Sequence, residues 1–178
     1  MSFTLHGFVN NPYDLCSKAI LTALRALPPT LRERGKQPKI VAISTTGATR
    51  ASLDALPLSI RVFYRYMLAS PHRDKAALER VLAHVSGRAW DDREPNADLV
   101  GERWAEQDGT PVYGSLPDVV IVRPALLTNG AATGTYRLGE GGKGYYTISR
   151  RDVAHFIVED LLKGSWAKWK GESVAMAY

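Results

Sequence analysis

The sequence predicts an α/β fold in which a parallel sheet is flanked by helices. Two short apolar runs, at 39–44 and 118–124, are rich in Val and Ile and do not alternate with polar residues. Such runs are typical of strands that are buried on both faces. Amphipathic helical patterns lie before, between and after them. Strands that alternate with helices in this way indicate parallel connections within one sheet.

Length, composition and charge are those of a globular protein with a single domain, 1–178. Hydrophobic residues make up 45% and charged residues 23% of the 178 positions. The net charge is +5, but basic residues are not interleaved with aromatic ones, so we expect no nucleic-acid partner. There is no run of 18 apolar residues and no secretory signal pattern, and the single cysteine is Cys16. We therefore expect no membrane span and a cytoplasmic location.

The first helix is predicted from an apolar stripe that recurs at helical spacing. The first twelve residues contain Gly, Asn and Pro and are expected to be irregular. Asp14 is expected to cap the helix, and Pro28 ends it. The stripe consists of Cys16, Ala19, Ile20, Ala23, Leu24 and Leu27.

Two further helices are predicted between the strands. The segment 58–68 has Ile60, Phe63, Tyr64 and Met67 on one side, and Ser70 followed by proline is expected to start the next helix. The segment 87–117 is long and has little periodicity. Loops of this length are usually functional or mobile, so it is either a lid over a ligand or a surface insertion that its tryptophans pin.

The second strand and the helix that follows it carry the clearest local signals. Pro124 cannot donate to a ladder and is expected to end the strand. Ser149 is a predicted N-cap, with Asp152 three residues on. The tail after Gly164 is expected to pack or fray. The apolar face of the helix is formed by Val153, Phe156, Ile157 and Leu161.

A glycine-rich segment at 139–144 matches the spacing G-x-G-x-x-G. In a dinucleotide-binding fingerprint these glycines open a helix whose N-terminus meets the pyrophosphate. Here they precede Tyr145-Tyr-Thr-Ile, which is typical of a strand. We therefore interpret them as a hairpin turn between 135–138 and 145–148.

Polar residues at the carboxyl end of the first strand and at the start of the next long helix are candidates for a site. Ser44 and Thr45 could reach a ligand there, or could simply form a turn. His72 and Lys75 could contact a ribose or substrate, or could belong to a capped helix start. The four histidines are too scattered to predict a metal site.

Several of these segments together resemble a known family. They are Val122-Arg123-Pro124-Ala-Leu-Leu, Thr133-Gly-Thr-Tyr136 and Ile148-Ser149-Arg-Arg-Asp152-Val-Ala, with Asp74-Lys75 and Glu79 upstream. These motifs are similar to those of the atypical short-chain dehydrogenase/reductases, the NmrA-like and biliverdin-IXβ/flavin reductase-like group. The resemblance covers roughly residues 12–163.

The resemblance implies a Rossmann-like sheet and NADP- or NAD-dependent reduction of a small organic or flavin-like acceptor. By position, the hydroxyls of Ser44 and Thr45 would lie beside the nicotinamide. His72 and Lys75 would approach the ribose or substrate. The strand end would contribute the cofactor-binding residues Arg123, Pro124, Ala125 and Leu126.

Two departures from the family pattern matter. Lys75 has Pro71, not a tyrosine, four residues before it, so phenol-based acid catalysis is not supported. The family's N-terminal half, with its glycine-rich cofactor loop, has no counterpart here. We therefore expect an incomplete domain with impaired cofactor binding, inactive alone, whose exposed sheet edge could be covered in a homo-oligomer. The alternative is a non-catalytic, NmrA-like NAD(P)-sensing or protein-interaction module.

Overall fold

The computed structural model describes residues 2–4, 7–141, 144–164 and 166–178. The strands are β1 (Ser2–Thr4), β2 (Gly7–Val9), β3 (Ile40–Ile43), β4 (Val119–Pro124), β5 (Leu126–Thr128), β6 (Arg137–Gly139), β7 (Thr147–Ser149) and β8 (Ser173–Ala177). The helices are α1 (Leu15–Arg25), α2 (Arg50–Asp54), α3 (Leu58–Met67), α4 (Ala69–Ser86), α5 (Ala97–Val100), α6 (Arg150–His155) and α7 (Trp166–Trp169). Short 3₁₀ turns lie at Pro29–Arg32 and Trp104–Glu106, and a π-helix, Phe156–Leu162, continues α6.

The main sheet confirms the predicted α/β class. Its strand order is β3-β4-β8-β6, in which β3, β4 and β8 are parallel and β6 is antiparallel to β8. The sheet is therefore mixed, although parallel pairing dominates. A separate pair, β5 and β7, is also parallel.

The central strand β4 divides the core into two layers. Its side chains alternate between the faces of the sheet, as the pleat requires. Val119 and Ile121 join the cluster formed with α1 and α4, and Val120 and Val122 join the cluster formed with the helix after β7. This fixes helices on both faces of the sheet, the arrangement of a doubly wound fold.

The tail after Gly164 packs, which is one of the two outcomes predicted from the sequence, but it packs as a strand that was not predicted. Its last element is the inner strand β8, in which Val174, Ala175, Met176 and Ala177 are buried. Trp166 is also buried, and its Nε1 donates to Asp118 at 3.0 Å. The four apolar residues that follow Ser173 were the available signal for a strand, but the prediction for this tail rested on the two tryptophans upstream.

The predicted hairpin around the glycine-rich segment is wrong, because the two strands belong to different sheets. β6 pairs with β8, whereas β7 pairs with β5. The glycines do serve a turn, since Gly141 and Gly144 have φ of 97° and 86°. Residues 142 and 143 of this motif lie outside the described residues. A strand, not a helix, follows, so the segment has no fingerprint geometry.

The N-terminal region differs from the prediction in three ways. β1 and β2 form a hairpin where irregular structure was expected, although residues 1, 5 and 6 are not described. On α1 the buried residues are Ser17, Leu21 and Leu24, while Ala19 and Ala23 are exposed. Asp14 stands at the N-cap but makes no cap bond.

The N-terminus of α1 is held by a residue distant in sequence. The buried Asp74 carboxylate on α4 accepts the backbone N–H groups of Cys16 and Ser17, each at 2.8 Å. This carboxylate satisfies donors that every helix start leaves without intrahelical partners. Local sequence could not predict it, because 57 and 58 residues separate the partners.

The segment 87–117 is fixed to the body of the protein. Leu99, Val100, Trp104 and Leu116 are buried in the first core cluster, whereas Trp90 is only half-buried. This packing is that of a pinned insertion, and the lid function stays a prediction. Among the helices of the described ranges, none combines the length and apolarity that a bilayer crossing requires.

Strand β3 confirms the expected apolar edge. Its pairing with β4 is on one side, and the strand order places it at the border of the sheet. Ile43 is 44% exposed there. The strand that carries Arg123, β4, is instead central, with β3 on one side and β8 on the other.

Candidate functional site

The predicted site residues meet at the carboxyl edge of the sheet because β3 and β4 are parallel. The loop after β3 is hydrogen-bonded to the end of β4: Ser44 N–H donates to Val122 O at 2.8 Å, and Thr46 N–H to Pro124 O at 3.1 Å. The hydroxyl loop and the Pro124 turn are therefore adjacent. Ligands bind at this edge in open α/β sheets.

Ser44 has the properties of a ligand-binding hydroxyl. Its side chain is buried, and its Oγ has no hydrogen-bond partner among the described residues. Thr45 is half-buried and its hydroxyl donates to Thr46 O at 3.3 Å. Because a buried hydroxyl without a partner costs free energy, Ser44 is the more plausible contact for a ligand or a water.

Helix α4 brings Lys75 to the same edge. Its Nζ donates to the carbonyl of Ile43 at 2.8 Å, directly before Ser44. The ammonium therefore ties α4 to the end of β3 and has further donors to offer. α4 begins at Ala69, so Ser70 lies inside the helix and is not its N-cap.

His72 lies one turn before Lys75 but serves different neighbours. Its ring packs edge-on against Tyr64, with 5.2 Å between centroids, and its Nε2 has no partner in the described part of the chain. Burial lowers the pKa of His72 to about 4. The imidazole is therefore neutral at pH 7, and it is suited to hydrogen bonding rather than to donating a proton from a charged form.

The four predicted cofactor-binding residues divide into two kinds. Arg123 forms an interior ion pair with Glu79 of α4, at 2.5 Å and 3.1 Å. Its guanidinium thus holds β4 to α4. Pro124 and Ala125 are buried, and Leu126 is 64% exposed, so these three form a wall at the sheet edge.

An apolar cleft opens directly onto this wall. We name this cavity of about 330 Å³ the apolar cleft. None of the tyrosines of this cleft was predicted from the sequence to be a site residue. The aromatic content of α3 and the Tyr145-Tyr146 pair were the available signals. The lining residues are Ser59, Ile60, Phe63, Tyr64, Leu126, Tyr145, Tyr146 and Thr147.

A larger cleft shares Tyr64 with the apolar cleft. It has a volume of about 510 Å³, and both Tyr64 and His72 line it. His72 does not line the apolar cleft. His72 therefore faces the larger cleft and not the wall at Leu126.

Asp152, the acid of the predicted helix start, is a structural hub. Ser149 caps α6 as predicted, because its Oγ accepts the Asp152 N–H at 2.9 Å. The Asp152 carboxylate accepts the N–H groups of Thr133 and Gly134, at 2.9 Å each, and the Tyr178 hydroxyl at 2.6 Å. Burial acts to raise the pKa of Asp152, but these hydrogen bonds prevail and lower it to about 2.

Across the described residues, no group of three or more His, Cys, Asp or Glu side chains could hold a metal ion.

Comparison with known proteins gives two sequence matches. A family model described as NAD(P)H-binding matches residues 84–163. The reductase pytE of Aspergillus terreus is 34% identical over 191 residues, which cover 100% of this chain and 62% of that protein. The chain thus spans less than two thirds of the length of this relative.

Solved structures share the fold. A wide-type short-chain dehydrogenase/reductase from Veillonella parvula, in complex with NADP, superposes with a TM-score of 0.58 at 16% identity, covering 91% of this chain and 58% of that one. A second, ethylated short-chain dehydrogenase/reductase from the same organism gives 0.55 at 15%, covering 98% and 59%. The solved structures confirm the predicted Rossmann-like fold, and the match of residues 84–163 to an NAD(P)H-binding family model agrees with the resemblance that the motifs carry.

Proposed function

We propose that this chain carries the substrate end of an NAD(P)H-dependent reductase that acts on a small organic or flavin-like acceptor. The observation that carries the proposal is the position of the apolar cleft. It opens at Leu126, the first exposed residue after the central strand β4, and the loop that carries Ser44 is hydrogen-bonded to the end of the same strand. An apolar cavity with a few polar groups at its edge is the usual form of a small-molecule site.

The residues present fit the nicotinamide end of NADP or NAD. Pro124, Ala125 and Leu126 would form the wall behind the ring, and the Ser44 hydroxyl would bind its polar substituent. Bound NADPH or NADH would supply a hydride to the acceptor. No residue of the described segments is assigned to the diphosphate, because the glycine-rich segment leads into β7. We therefore propose that this chain binds the cofactor weakly when alone.

The polar residues have distinct roles in the proposal. Ser44 and Thr45 would orient the ligands at the strand end. Lys75, held 2.8 Å from the Ile43 carbonyl, would direct its remaining donors toward a ribose or a substrate oxygen. We give His72 no contact at the nicotinamide wall, since it lines the larger cleft and not the apolar cleft. We give Arg123 no cofactor contact, since Glu79 engages its guanidinium.

A test follows from the asymmetry between the two ends of the cofactor. Saturation-transfer NMR with NADPH should show stronger transfer to the nicotinamide protons than to the adenine protons. Leu126→Arg should abolish the nicotinamide signal, because a cation and a longer side chain would fill the wall. Val112→Arg is the matched control, since Val112 is 75% exposed and lines neither cleft. Stronger transfer to adenine, or equal signals from both variants, would contradict the proposal.

A second function, NAD(P) sensing or protein interaction without turnover, is favoured by one observation. Lys75 has Pro71, not a tyrosine, four residues before it, so the Tyr-x-x-x-Lys pair that supports phenol-based acid catalysis is not present at this lysine. Oxidation of NADPH with menadione or FMN as acceptor, measured at 340 nm, separates the two functions. Turnover that follows restoration of a preceding Gly-rich half supports the reductase, and binding without turnover supports the sensor.

We also propose that the domain is incomplete and that its exposed edge strand, β3, is covered by other strands or by a second copy of the chain. The apolar border of β3 would be satisfied by further strands or by a second copy of this chain. Analytical ultracentrifugation of the chain, with Ile43→Lys as the variant, tests the second copy. A sedimentation coefficient that is monomeric for both proteins at high concentration would argue against a homo-oligomer.

A further inference from the structure

The larger cleft, which Tyr64 and His72 line, is rich in cationic side chains. Four arginines line it: Arg50 from the start of α2, Arg65 from α3, Arg73 from α4 and Arg93 from the segment after α4. We name this cavity the arginine cleft. Its volume of about 510 Å³ suits a small organic molecule, and it is separate from the wall at Leu126.

The two carboxylates that also line the arginine cleft are already engaged. Glu94 is bound by both oxygens to Arg80, at 2.8 Å and 2.9 Å, and Arg80 does not line the cleft. Asp92 accepts the backbone N–H groups of Arg50 and Arg93, each at 2.6 Å. Neither of these two carboxylates therefore forms a short ion pair with a guanidinium group that lines the cleft.

The lining arginines themselves make only long ion pairs. The distances are 3.8 Å from Arg50 to Asp92, 3.9 Å from Arg65 to Asp54 and 3.5 Å from Arg73 to Asp98. Charge-assisted hydrogen bonds are normally 2.7–2.9 Å long, roughly the Arg80–Glu94 geometry. The guanidinium donors of the cleft are thus available to an incoming anion.

A second, independent feature points to a ligand at the base of the cleft. His72 is 7% exposed, lines the cavity, and has an Nε2 without a partner among the described residues. A buried polar atom in this state is destabilising unless a ligand or water satisfies it. Apolar residues surround it, among them Leu53, Ala69, Ala76 and Leu99.

We infer that the arginine cleft binds a small organic anion, with its carboxylate or phosphate on the arginines, its apolar body against the alanine and leucine walls, and a polar atom on His72. The arginine fork is suited to both oxyanions. The neutral state of the imidazole, whose pKa burial lowers to about 4, allows it to donate or accept without adding charge. This site does not depend on the proposed reductase function, because the lining of the arginine cleft shares no residue other than Tyr64 with that of the apolar cleft.

Fluorescence anisotropy of 2-naphthoate, with neutral 2-naphthamide as the matched ligand, tests the inference directly. We expect saturable binding of 2-naphthoate, binding of the amide weaker by about tenfold or more, and loss of affinity at high salt. Inorganic pyrophosphate as competitor distinguishes the oxyanions: displacement shows that phosphates share the site, and no displacement restricts it to carboxylates.

Paired variants make the test specific. Arg65→Gln with Arg73→Gln should weaken 2-naphthoate by about tenfold or more, since each exposed side chain can change without loss of core packing. Arg34→Gln with Arg151→Gln removes the same charge from exposed positions outside the cleft and should leave binding unchanged. His72→Gln adds a check on the base of the cleft. Equal affinity for acid and amide, or equal weakening by both arginine pairs, would overturn the inference.

Discussion

Two regions of this molecule treat buried polar groups in opposite ways. Around β4 and α6, the buried acids Asp152 and Glu79 have short, charge-assisted partners. Between β3 and α4, Ser44 and His72 are buried without side-chain partners. The same stretch leaves apolar side chains in solvent: Leu58, Val62, Phe63 and Tyr66 are all more than half exposed. The first region is stabilised by its paired polar groups. The second leaves polar groups and apolar side chains that a ligand or a partner could cover.

The largest expected effect tests the stabilising region. Asp152→Asn should lower the free energy of unfolding by about 3–5 kcal/mol, because buried N–H and O–H donors would lose a charged acceptor. Urea unfolding monitored by circular dichroism measures it. Asp160→Asn, on the same helix, is the control: Asp160 accepts the Tyr136 hydroxyl at a less buried position, so its loss should cost less. Similar losses for both variants would mean that Asp152 is not the hub of this region.

The intermediate effect is the pH dependence of the free energy of unfolding that His72 causes in the region between β3 and α4. His72 has a folded-state pKa of about 4 against an ordinary value of 6.5. As pH falls from 6.5 to 4, the unfolded chain takes up a proton at His72 that the folded chain does not, so stability falls. Between about pH 7 and about pH 5 the loss should be about 2 kcal/mol, and His72→Gln should remove that part.

The Asp152 contribution has a different pH window, which separates the two regions in one titration. Its folded pKa is about 2 against 3.8 ordinarily, so its stabilisation is present above pH 3.8 and is lost as pH falls toward 2. Urea unfolding at a series of pH values should therefore show His72→Gln altering only the upper window. A His72 variant with an unchanged loss between pH 7 and pH 5 would show that the imidazole is solvated.

The smallest expected effect is on α3. Phe63→Ser should change the free energy of unfolding by less than about 0.5 kcal/mol, because the side chain is 52% exposed and lies outside both core clusters. The same variant should reduce binding of any apolar acceptor, since Phe63 lines the apolar cleft. Thermal unfolding measures the first quantity. A loss of several kilocalories per mole would show that α3 belongs to the stable core after all.

The motifs that carried the family resemblance turn out to be largely structural. Asp74 holds the start of α1, Glu79 holds Arg123, and Asp152 holds the segment at Thr133 and Gly134. Each of these three acids links two segments that are distant in sequence, and at least one of the two segments belongs to a motif. The resemblance therefore identified the fold, while most residues that line the apolar cleft, such as Tyr64 and Tyr146, lie outside those motifs.

Sequence alone determined the elements whose signals are local: the apolar strands at 40–43 and 119–124, the Ser149 cap, and the helical spacing of α3 and of the helix after β7. Tertiary structure decided which elements became neighbours. It made β8 an inner strand, separated β6 from β7, and placed Lys75 against β3 and His72 behind Tyr64. The reason is physical: periodicity and capping depend on residues within one or two turns, whereas strand order, buried ion pairs and cavities depend on contacts across tens of residues that no local pattern encodes.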